Sequence, residues 1–570
     1  MRSGVRALIF ALAVLAAAAG CTTSPAPLPA VTPAPSTPLT PGTISGRVVD
    51  QDGRPLAGAQ VSIQAATRTT LTDGEGRFSL TGLEDSKPLT VSAWKDAYYC
   101  AAQESVAPPA SGVHLVLRLV QTTDNPAYAW VPPTGENSCY SCKPGVTQVW
   151  LDNDIHGKSA VNPRFLSMYN GTDLQGNQSP PTRFVEVRDY GRVPLAPDPT
   201  RPYFGPGYRL DFPTATGNCA ACHIPGAAVD NPYGIDPNQA GGADQFGIHC
   251  DFCHKIGGVV VDPQTGLPYS EMPGVLSLEM RRPFPEDAQR YQLFFGTFAD
   301  DNVPMEDTRL PLISESRFCA ACHYGTFWGT LVYNSYGEWL QSPYSDPQTG
   351  RTCQDCHTPA PTLLDGKPIT NVAPGKGGVE RDPLTIHAHT FPGAASATLL
   401  QNALTMDVDA RRQGSQVRVT VELTNDKTGH AVPSDSPLRH LILLVEASDS
   451  TGRSLPLVQG ETVPEWGGVG DPGQGYYAGL PGKAYARVLA ELWTEISPTG
   501  AYWNPTRLVS DNRLAPFASD ASEYVFDLPD GGEAAIAVRL VYRRAYRSLA
   551  DQKSWNIPDI LMEEITIVVK

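Results

Sequence analysis

Cys319-Ala320-Ala321-Cys322-His323 is the pattern around which this chain is organised. The same C-x-x-C-H spacing recurs at Cys219–His223, Cys250–His254 and Cys353–His357. A fifth pair, Cys139 and Cys142, is followed by Lys143 in place of His. These pairs contain ten of the 12 cysteines in the 570-residue sequence, so the role of the paired cysteines decides both fold and function.

A C-x-x-C-H pattern predicts covalent attachment of c-type haem. Two thiols add across the vinyl groups of one haem, and the His that follows can bind the iron from its proximal face. The predicted proximal ligands are His223, His254, His323 and His357. The predicted attachment residues in these four motifs are Cys219, Cys222, Cys250, Cys253, Cys319, Cys322, Cys353 and Cys356. Disulfides and zinc sites are the alternatives, although zinc sites do not require a His after each pair.

The pair Cys139-Tyr140-Ser141-Cys142-Lys143 resembles the variant haem site of cytochrome c nitrite reductases. In that family the Lys-bound haem comes first in the chain, four His-bound haems follow, and the Lys-bound iron keeps one face open for substrate. The resemblance implies five haem c groups, with Lys143 as a proximal ligand and a candidate catalytic residue. A redox disulfide between Cys139 and Cys142, or a haem site that lost its function, would leave four haems.

Low-spin haems need a second axial ligand, which in multihaem electron carriers is usually another His. The segment Trp150–Ala160, which contains His156, resembles a stretch that supplies a distal His in nitrite-reductase-like cytochromes. The segment Asn425–Pro433, which contains His430, resembles an element of C-terminal sandwich domains in multihaem cytochromes. The candidate distal ligands are His156, His249, His387, His389 and His430.

The region before the last motif departs from the nitrite reductase pattern. Those enzymes have a His where this chain has Ser342-Pro343-Tyr344, which weakens the transfer of enzyme function. The residues that surround the substrate in that family cannot be matched one by one here. Arg164 and Tyr169 are guesses for side chains that approach the Lys143 haem.

Composition and patterning predict a multidomain protein. Residues 43–120 alternate like β-strands and resemble a carboxypeptidase regulatory-like domain, a small β-sandwich without peptidase residues. Residues 121–402 hold all five pairs and predict a haem-packed, mainly α or irregular domain. Residues 403–570 return to strand patterns, as in Val417–Leu423 and Leu441–Ala447, and predict a second β-sandwich. The 53 Pro and 52 Gly residues indicate many turns.

The N-terminus has the features of an export signal. Residues 1–20 contain a basic start and a short apolar run, and residues 21–42 form a Pro-rich tether after Cys21. Gly20-Cys21 resembles the lipobox of bacterial lipoproteins, which implies lipidation of Cys21. Ordinary cleavage after Ala17–Ala19 is the alternative, and a Cys21–Cys100 disulfide then becomes possible. We therefore expect an extracytoplasmic protein, lipid-anchored at a membrane in the periplasm or at the cell surface.

These features predict an electron carrier with covalently bound haems. A net charge of −16 disfavours nucleic-acid binding, and the expected partners are redox proteins such as a quinol-oxidising complex or other cytochromes. The first alternative is an enzyme that reduces a small oxyanion, of the nitrite or hydroxylamine type, at an open Lys143-bound haem. The second is a surface-binding conduit that discharges electrons to a polymer or mineral.

Overall fold

The computed structural model describes residues 40–284, 292–303, 306–528 and 532–570. Cys21, with the export signal and most of the tether, lies outside these ranges, so its lipidation stays a prediction. No helix among the described residues is long and apolar enough to cross a membrane.

The N-terminal part of the chain is a sandwich of two small sheets. Its strands are β1 (Ile44–Asp50), β2 (Gln60–Ile63), β3 (Thr69–Leu71), β4 (Arg77–Leu80), β5 (Leu89–Trp94), β6 (Ala101–Val106) and β7 (Ala110–Leu117). One sheet has the order β4-β1-β7 and the other β3-β2-β5-β6. Alternate residues such as Val48, Val61 and Val91 fill the space between the sheets. Cys100 is buried in this part of the chain.

The central part is built from short helices. They are α1 (Cys139–Cys142), α2 (Pro144–Asn153), α3 (Pro163–Asn170), α4 (Tyr208–Asp211), α5 (Ala220–His223), α6 (Pro225–Ala228), α7 (Cys250–Cys253), α8 (Ala320–His323), α9 (Ser335–Leu340), α10 (Cys353–His357) and α11 (Ala397–Gln401). Even α2, the longest helix described, has only 10 residues. A mainly α description of this region therefore has only weak support, because loops make up much of it.

Five two-stranded sheets lie among these helices. Their strands are β8 (Phe184–Val187) with β9 (Gly191–Pro194), β10 (Ile256–Val259) with β11 (Leu278–Met280), β12 (Phe294–Gly296) with β13 (Asp307–Arg309), β14 (Gly325–Phe327) with β15 (Thr330–Tyr333), and β16 (Leu363–Leu364) with β17 (Lys367–Pro368). The pair β12/β13 is parallel, whereas the other pairs are antiparallel.

The C-terminal part is a second and larger β-sandwich. Its elements are β18 (Thr405–Gln413), β19 (Gln416–Thr424), β20 (His440–Asp449), β21 (Leu457–Gln459), β22 (Gly482–Glu491), β23 (Thr506–Asp511), β24 (Ser519–Asp527), β25 (Ala534–Arg543), α12 (Arg547–Gln552) and β26 (Ile560–Val569). The sheets run β18-β19-β24-β21 and β23-β22-β20-β25-β26. In β19 buried and less buried residues alternate, whereas β20 begins with six consecutive buried residues at the centre of the larger sheet.

Both sandwiches are fixed to the central region by hydrogen bonds. On the N-terminal side, the Trp94 indole N–H donates to the carbonyl of Arg309 at 3.2 Å, and the backbone N–H of Ala65 donates to Asp300 at 2.6 Å. On the C-terminal side, the Trp503 indole N–H donates to Asp211 at 2.7 Å. The N-terminal domain is thus docked against the segment that leads into β13.

Candidate functional site

A cavity of 2030 Å³ lies between the central region and the C-terminal sandwich. Sites for one small molecule or cofactor usually enclose about 300–1,000 Å³, so this cavity has room for several large groups. Among the paired cysteines, those that line it are Cys139, Cys142, Cys250, Cys253, Cys319, Cys322, Cys353 and Cys356. Lys143 and the four motif histidines line it as well, so the structure brings the five proximal candidates to one space.

Most of the cysteine pairs lie on single turns of helix. Residues three apart on a helix share a face, so each short helix presents two thiols to the same side. In α10 the turn is fixed by a capping box, in which the Thr352 hydroxyl accepts from the backbone N–H of Asp355 and the Asp355 carboxylate accepts from that of Thr352. Such a turn sets two thiols and the following His together beside the cavity.

Neither alternative to haem attachment is supported by this geometry. The described cysteines, Cys100 among them, form no disulfide. Within the described ranges, no group of three or more His, Cys, Asp or Glu side chains could hold a metal ion. A zinc site needs four such ligands around one point, whereas eight of the ten paired cysteines are distributed around the cavity.

Three pairs of histidine rings lie opposite each other in the cavity, two with planes 20–28° apart and the third, His323 with His156, with planes 85° apart. The ring centroids of His254 and His389 are 6.4 Å apart, those of His357 and His430 are 6.4 Å apart, and those of His323 and His156 are 6.3 Å apart. In each pair, one member follows a C-x-x-C motif and the other is a predicted distal ligand. Sequence reasoning named the members, and the structure brings them together.

The spacing of these rings suits a metal ion held between two imidazoles. Two metal–imidazole bonds of about 2 Å each, with about 1.1 Å from each bonding nitrogen to its ring centre, separate the centroids by about 6.2 Å. Direct ring stacking would bring the centroids closer, as in Phe165 on His223 at 3.9 Å. The residues present therefore fit haem irons with histidine on both faces.

Hydrogen bonds at Nδ1 orient the paired rings. Nδ1 of His254 bonds to the carbonyl of Phe295, that of His357 to the carbonyl of Pro392 at 2.7 Å, and that of His389 to the carbonyl of His387 at 3.1 Å. His323 and His156 use carboxylates instead: His323 bonds to Asp435 at 2.8 Å, and His156 bonds to Asp154 at 3.0 Å. A partner on Nδ1 fixes the tautomer and leaves Nε2 as the nitrogen that binds a metal.

The remaining distal candidates have other surroundings. His249 is fully buried, and its Nδ1 accepts from the backbone N–H of Phe252 at 3.2 Å, so the ring caps α7. His387 is exposed, and its Nδ1 bonds to the carbonyl of Thr358 at 3.1 Å. Both residues line the cavity, but neither makes a ring contact with a motif histidine in the part of the chain that the structure describes. Their roles as ligands stay predictions.

Lys143 lies between α1 and α2 in acidic surroundings. Its Nζ is 4.7 Å from the centre of the Phe294 ring. Burial lowers the pKa of Lys143, and the nearby Asp307 and Glu306 carboxyls act in the opposite direction. A lowered pKa favours the neutral amine, which is the form that binds a metal. Lys143 therefore fits an axial ligand, as the resemblance implies.

His223 differs from the other motif histidines. Its Nδ1 is buried with no hydrogen-bond partner of good geometry in the described ranges, and burial lowers its pKa to about 4 against a smaller, opposite effect of the Ser159 backbone. Arg164, one of the two side chains suggested to approach the Lys143 haem, directly precedes Phe165 in the chain. The Phe165 ring stacks on His223 with an angle of 2° between the planes. Tyr169 donates to the carbonyl of Thr216, just before the Cys219 motif. The approach of either side chain to the Lys143 haem stays a prediction.

Contacts between cysteines of different motifs indicate the order of the sites. The thiols of Cys139 and Cys250 lie close enough to shift each other's pKa, and the same holds for Cys222 with Cys322 and Cys319 with Cys353. Cys253 also contributes to the raised pKa of Cys319. If the sites are numbered by their motifs in chain order, the first site (Cys139/Cys142) thus adjoins the third (Cys250/Cys253). The fourth site (Cys319/Cys322) adjoins the second (Cys219/Cys222), the third and the fifth (Cys353/Cys356).

Sequence reasoning missed several residues that the C-terminal sandwich contributes. Asp435, Arg439, Tyr502 and Arg544 line the cavity. They lie in loops or at strand ends far from the C-x-x-C motifs, and no local pattern distinguishes them. In this domain, only the segment around His430 had a sequence pattern that predicted a contribution to the site.

Comparison with known proteins gives one domain match. Residues 43–119 match the model of the carboxypeptidase regulatory-like domain, which confirms the resemblance predicted for the N-terminal sandwich. This match covers a small part of the chain. No curated protein matches this chain.

Two solved structures resemble parts of the chain. A penta-heme cytochrome c552 from Thermochromatium tepidum is 17% identical, with 75% of this chain and 97% of that chain covered and a TM-score of 0.49. A cohesin–X-dockerin complex from Acetivibrio cellulolyticus is 23% identical, with 13% of this chain and 51% of that chain covered and a TM-score of 0.12. Both TM-scores are below 0.5, so the function of this chain has to be argued from its own residues.

Proposed function

We propose that this protein is an extracytoplasmic multihaem c-type cytochrome that carries electrons along five covalently bound haems. The observation that carries the proposal is the set of three facing pairs, His254/His389, His357/His430 and His323/His156, at centroid distances of 6.3–6.4 Å. One member of each pair directly follows a C-x-x-C motif. We further propose membership of the cytochrome c nitrite reductase-like superfamily, which the C-x-x-C-K motif and its first position support.

Haem supplies one-electron redox chemistry when it is bound. The chain contributes thiols for covalent attachment, imidazoles for both axial positions of three irons, and a cavity that keeps these positions partly away from water. Histidine on both faces closes an iron to substrates, which suits an electron carrier. The Nδ1 hydrogen bonds fix the orientation of each imidazole and leave Nε2 as the nitrogen available to iron.

The neighbouring cysteines support a branched arrangement of the sites. Cys139 lies next to Cys250, Cys253 lies near Cys319, and Cys319 lies next to Cys353. Electrons could pass from the first site through the third and fourth to the fifth, and the second site branches from the fourth through Cys222 and Cys322. Such adjacency is what a chain of carriers requires.

The location and partners belong to the same proposal. The sequence around Cys21 supports a lipid anchor, and the Pro-rich tether would hold the folded part away from the membrane. Redox proteins with basic surfaces suit a chain of net charge −16. Replacing Cys21 by Ser should release the protein from membranes, and continued attachment would count against lipidation.

The decisive experiment is the intact mass and absorption spectrum of the purified protein. Five haems should add five haem masses to the polypeptide, and changing both Cys353 and Cys356 to Ser should remove one. Changing Cys139 and Cys142 tests the Lys143 site in the same way. A polypeptide mass without haem, from cells that mature other c-type cytochromes, would refute the proposal.

A second candidate function is reduction of a small oxyanion. The observation in its favour is that Lys143 and His223 have no histidine ring opposite them among the described ring contacts. An iron with an open face can bind a substrate, while the paired sites would supply electrons. High-spin ferric signals and carbon monoxide binding after reduction would support this function, and a fully low-spin, unreactive protein would exclude it.

A further inference from the structure

A row of aromatic rings connects His223 with the loop before β23. Phe165 stacks on His223 with ring centroids 3.9 Å apart, and the centroids of Phe165 and Tyr169 are 6.3 Å apart. Tyr169 stacks on Tyr208 at 5.5 Å, and Tyr208 meets Trp503 edge-on at 6.3 Å. These are the distances of aromatic rings in direct contact. We call Phe165, Tyr169, Tyr208 and Trp503 the aromatic chain.

The far end of the aromatic chain reaches the protein surface. The indole N–H of Trp328 donates to the carbonyl of Trp503 at 2.8 Å, and Trp328 is 61% exposed in the turn between β14 and β15. Tyr169 and Tyr208, by contrast, are 2% and 8% exposed. The rings therefore run from a histidine beside the cavity, through the protein interior, to an exposed indole.

The spacing of the rings is fixed by the packing of two domains. Phe165 and Tyr169 lie four residues apart on α3 and so share one face of that helix. The C-terminal sandwich holds this helix at Ser167: Nζ of the buried Lys553 donates to the Ser167 carbonyl at 3.1 Å, and the Trp555 indole N–H donates to the Ser167 hydroxyl at 3.0 Å.

Trp503 has a proton acceptor at its indole nitrogen. The indole N–H donates to the Asp211 carboxylate at 2.7 Å. The same carboxylate is fixed by hydrogen bonds from the Asn504 side chain, at 2.9 Å, and from the Thr182 hydroxyl. An indole that loses an electron becomes a strong N–H acid, and a negative charge beside it favours that loss. Asp211 can therefore accept the proton when Trp503 is oxidised.

The ring contacts of the other motif histidines end sooner. Phe294 stacks on His254 at 3.9 Å, and Phe391 contacts His156, the partner of His323, at 5.0 Å. Among the motif histidines, only His223 has ring contacts that continue to tyrosine or tryptophan within the described ranges. His223 also lacks a histidine ring opposite it in these ranges, so its haem is one that a small oxidant can reach. The oxidisable rings thus lead to a site where over-oxidation is expected.

We propose that the aromatic chain carries electrons from Trp503 and Trp328 to the haem of the Cys219–His223 motif when an oxidant of the peroxide class over-oxidises that haem. This proposal rests on the proposed haem function, because haem supplies the one-electron chemistry. Tyr169 and Tyr208 are the intermediate stations, since phenol groups lose an electron far more readily than the Phe165 ring does.

The electrons and protons of this reaction balance. Peroxide takes two electrons from the haem and two protons from solvent, and it leaves as two molecules of water. Trp503 and Trp328 then return one electron each through the aromatic chain. The proton of Trp503 passes to Asp211, and that of the exposed Trp328 passes to solvent, so two protons are released for the two consumed. A hydrogen-atom donor in solution, of the ascorbate or thiol class, restores both indoles.

The experiment mixes the oxidised holoprotein with one equivalent of hydrogen peroxide and records organic radicals by EPR. Peptide mass mapping then locates the oxidised side chains. Tyr208→Phe keeps a ring of similar size but removes the phenol, and Tyr524→Phe, in the buried core of the C-terminal sandwich, is the matched control. Asp211→Asn removes the charge that accepts the Trp503 proton.

We expect oxidation at the two indoles, with retention of the haem, in the wild type and in Tyr524→Phe. Tyr208→Phe should lose the oxidation of Trp503 and Trp328, and its haem absorption should bleach faster, because the path from the surface is interrupted. Asp211→Asn should reduce the radical signal of Trp503 without changing the haem spectrum. Changing both Cys219 and Cys222 to Ser should abolish oxidation of the indoles, because the haem that receives the electrons is missing.

Haem content and melting temperature are measured first on every sample, so the two proposals fail separately. A protein without haem refutes the proposed function, and the electron path falls with it. Five haems with equal indole oxidation in the wild type and Tyr208→Phe overturn the electron path alone. Indole oxidation that persists without Cys219 and Cys222 shows direct attack of peroxide on the surface, and it overturns the electron path as well.

Discussion

The imidazoles of His254 and His389 face each other across the cavity, with centroids 6.4 Å apart and ring planes 28° apart. His389 is preceded two positions earlier by His387, which is exposed and makes no ring contact with a motif histidine in the described ranges. The two histidines lie two residues apart in the same segment, but only His389 lies opposite a motif histidine. They therefore provide a matched pair for testing axial ligation.

Replacing His389 by Ala should open one face of the iron that we propose for the Cys250–His254 motif. We expect one additional high-spin haem in the oxidised spectrum and one additional carbon monoxide site after reduction, because the second imidazole is removed while covalent attachment is not. The matched control, His387→Ala, should leave the spin state unchanged. A high-spin signal in His387→Ala but not in His389→Ala would reverse the assignment.

Asp435 should tune the haem that we propose for His323. Its carboxylate accepts from His323 Nδ1 at 2.8 Å, and this bond makes the imidazole a stronger donor to ferric iron. Removing one charge-assisted hydrogen bond of about 1.5 kcal/mol should raise a one-electron potential by about 60 mV. Spectroelectrochemistry of Asp435→Asn should show one haem shifted upward. Asp426→Asn, which removes an exposed carboxylate of the same sandwich, is the control and should shift none.

The sequence predicted the sheets more fully than the site. Val417–Leu423 and Leu441–Ala447 fall within β19 and β20, because burial on one or both faces of a sheet leaves a pattern in consecutive residues. The C-x-x-C spacing likewise depends only on local geometry. These features need no knowledge of which distant segments meet.

Features that depend on distant contacts were not predictable in this way. Asp435 meets His323 across 112 residues of chain, and neither residue carries a local sign of its partner. The N-terminal sandwich also meets the central region, where the Ser92 hydroxyl accepts from the backbone N–H of Asp301 at 2.8 Å. That bond forms because two complete domains dock, which periodicity and motif spacing do not encode.

His440 should make stability fall in acid. It is fully buried in β20, and burial, with the charge of Arg543, lowers its pKa to about 3 from 6.5. The unfolded chain therefore takes up a proton below pH 6.5 that the folded state refuses until about pH 3. The free energy of unfolding is therefore not lowered by His440 above pH 6.5. It falls by up to about 1.4 kcal/mol per pH unit as the pH drops from 6.5 to about 3.

Comparison of variants isolates the contribution of His440. Between pH 6.5 and 4 the melting temperature of His440→Gln should fall less steeply than that of the wild type, because a glutamine at this position does not titrate. His114→Gln, at an exposed position of β7, should follow the wild-type profile. Parallel profiles for the wild type and His440→Gln would show that His440 does not titrate as its burial implies.

Arg282 and its neighbour Arg281 should differ sharply in their effect on stability. Arg282 is 1% exposed and binds Asp124 at 2.6 Å and Asp230 at 2.7 Å, so it joins the start of the central region to the loop after α6. Arg281 pairs with the half-exposed Glu279 at 3.2 Å. Arg282→Leu leaves two carboxylates without their cation and should cost about 2–4 kcal/mol, whereas Arg281→Leu should cost at most about 1 kcal/mol. Calorimetric melting of both variants measures this difference, and equal melting temperatures would mean that the Arg282 contacts do not stabilise the fold.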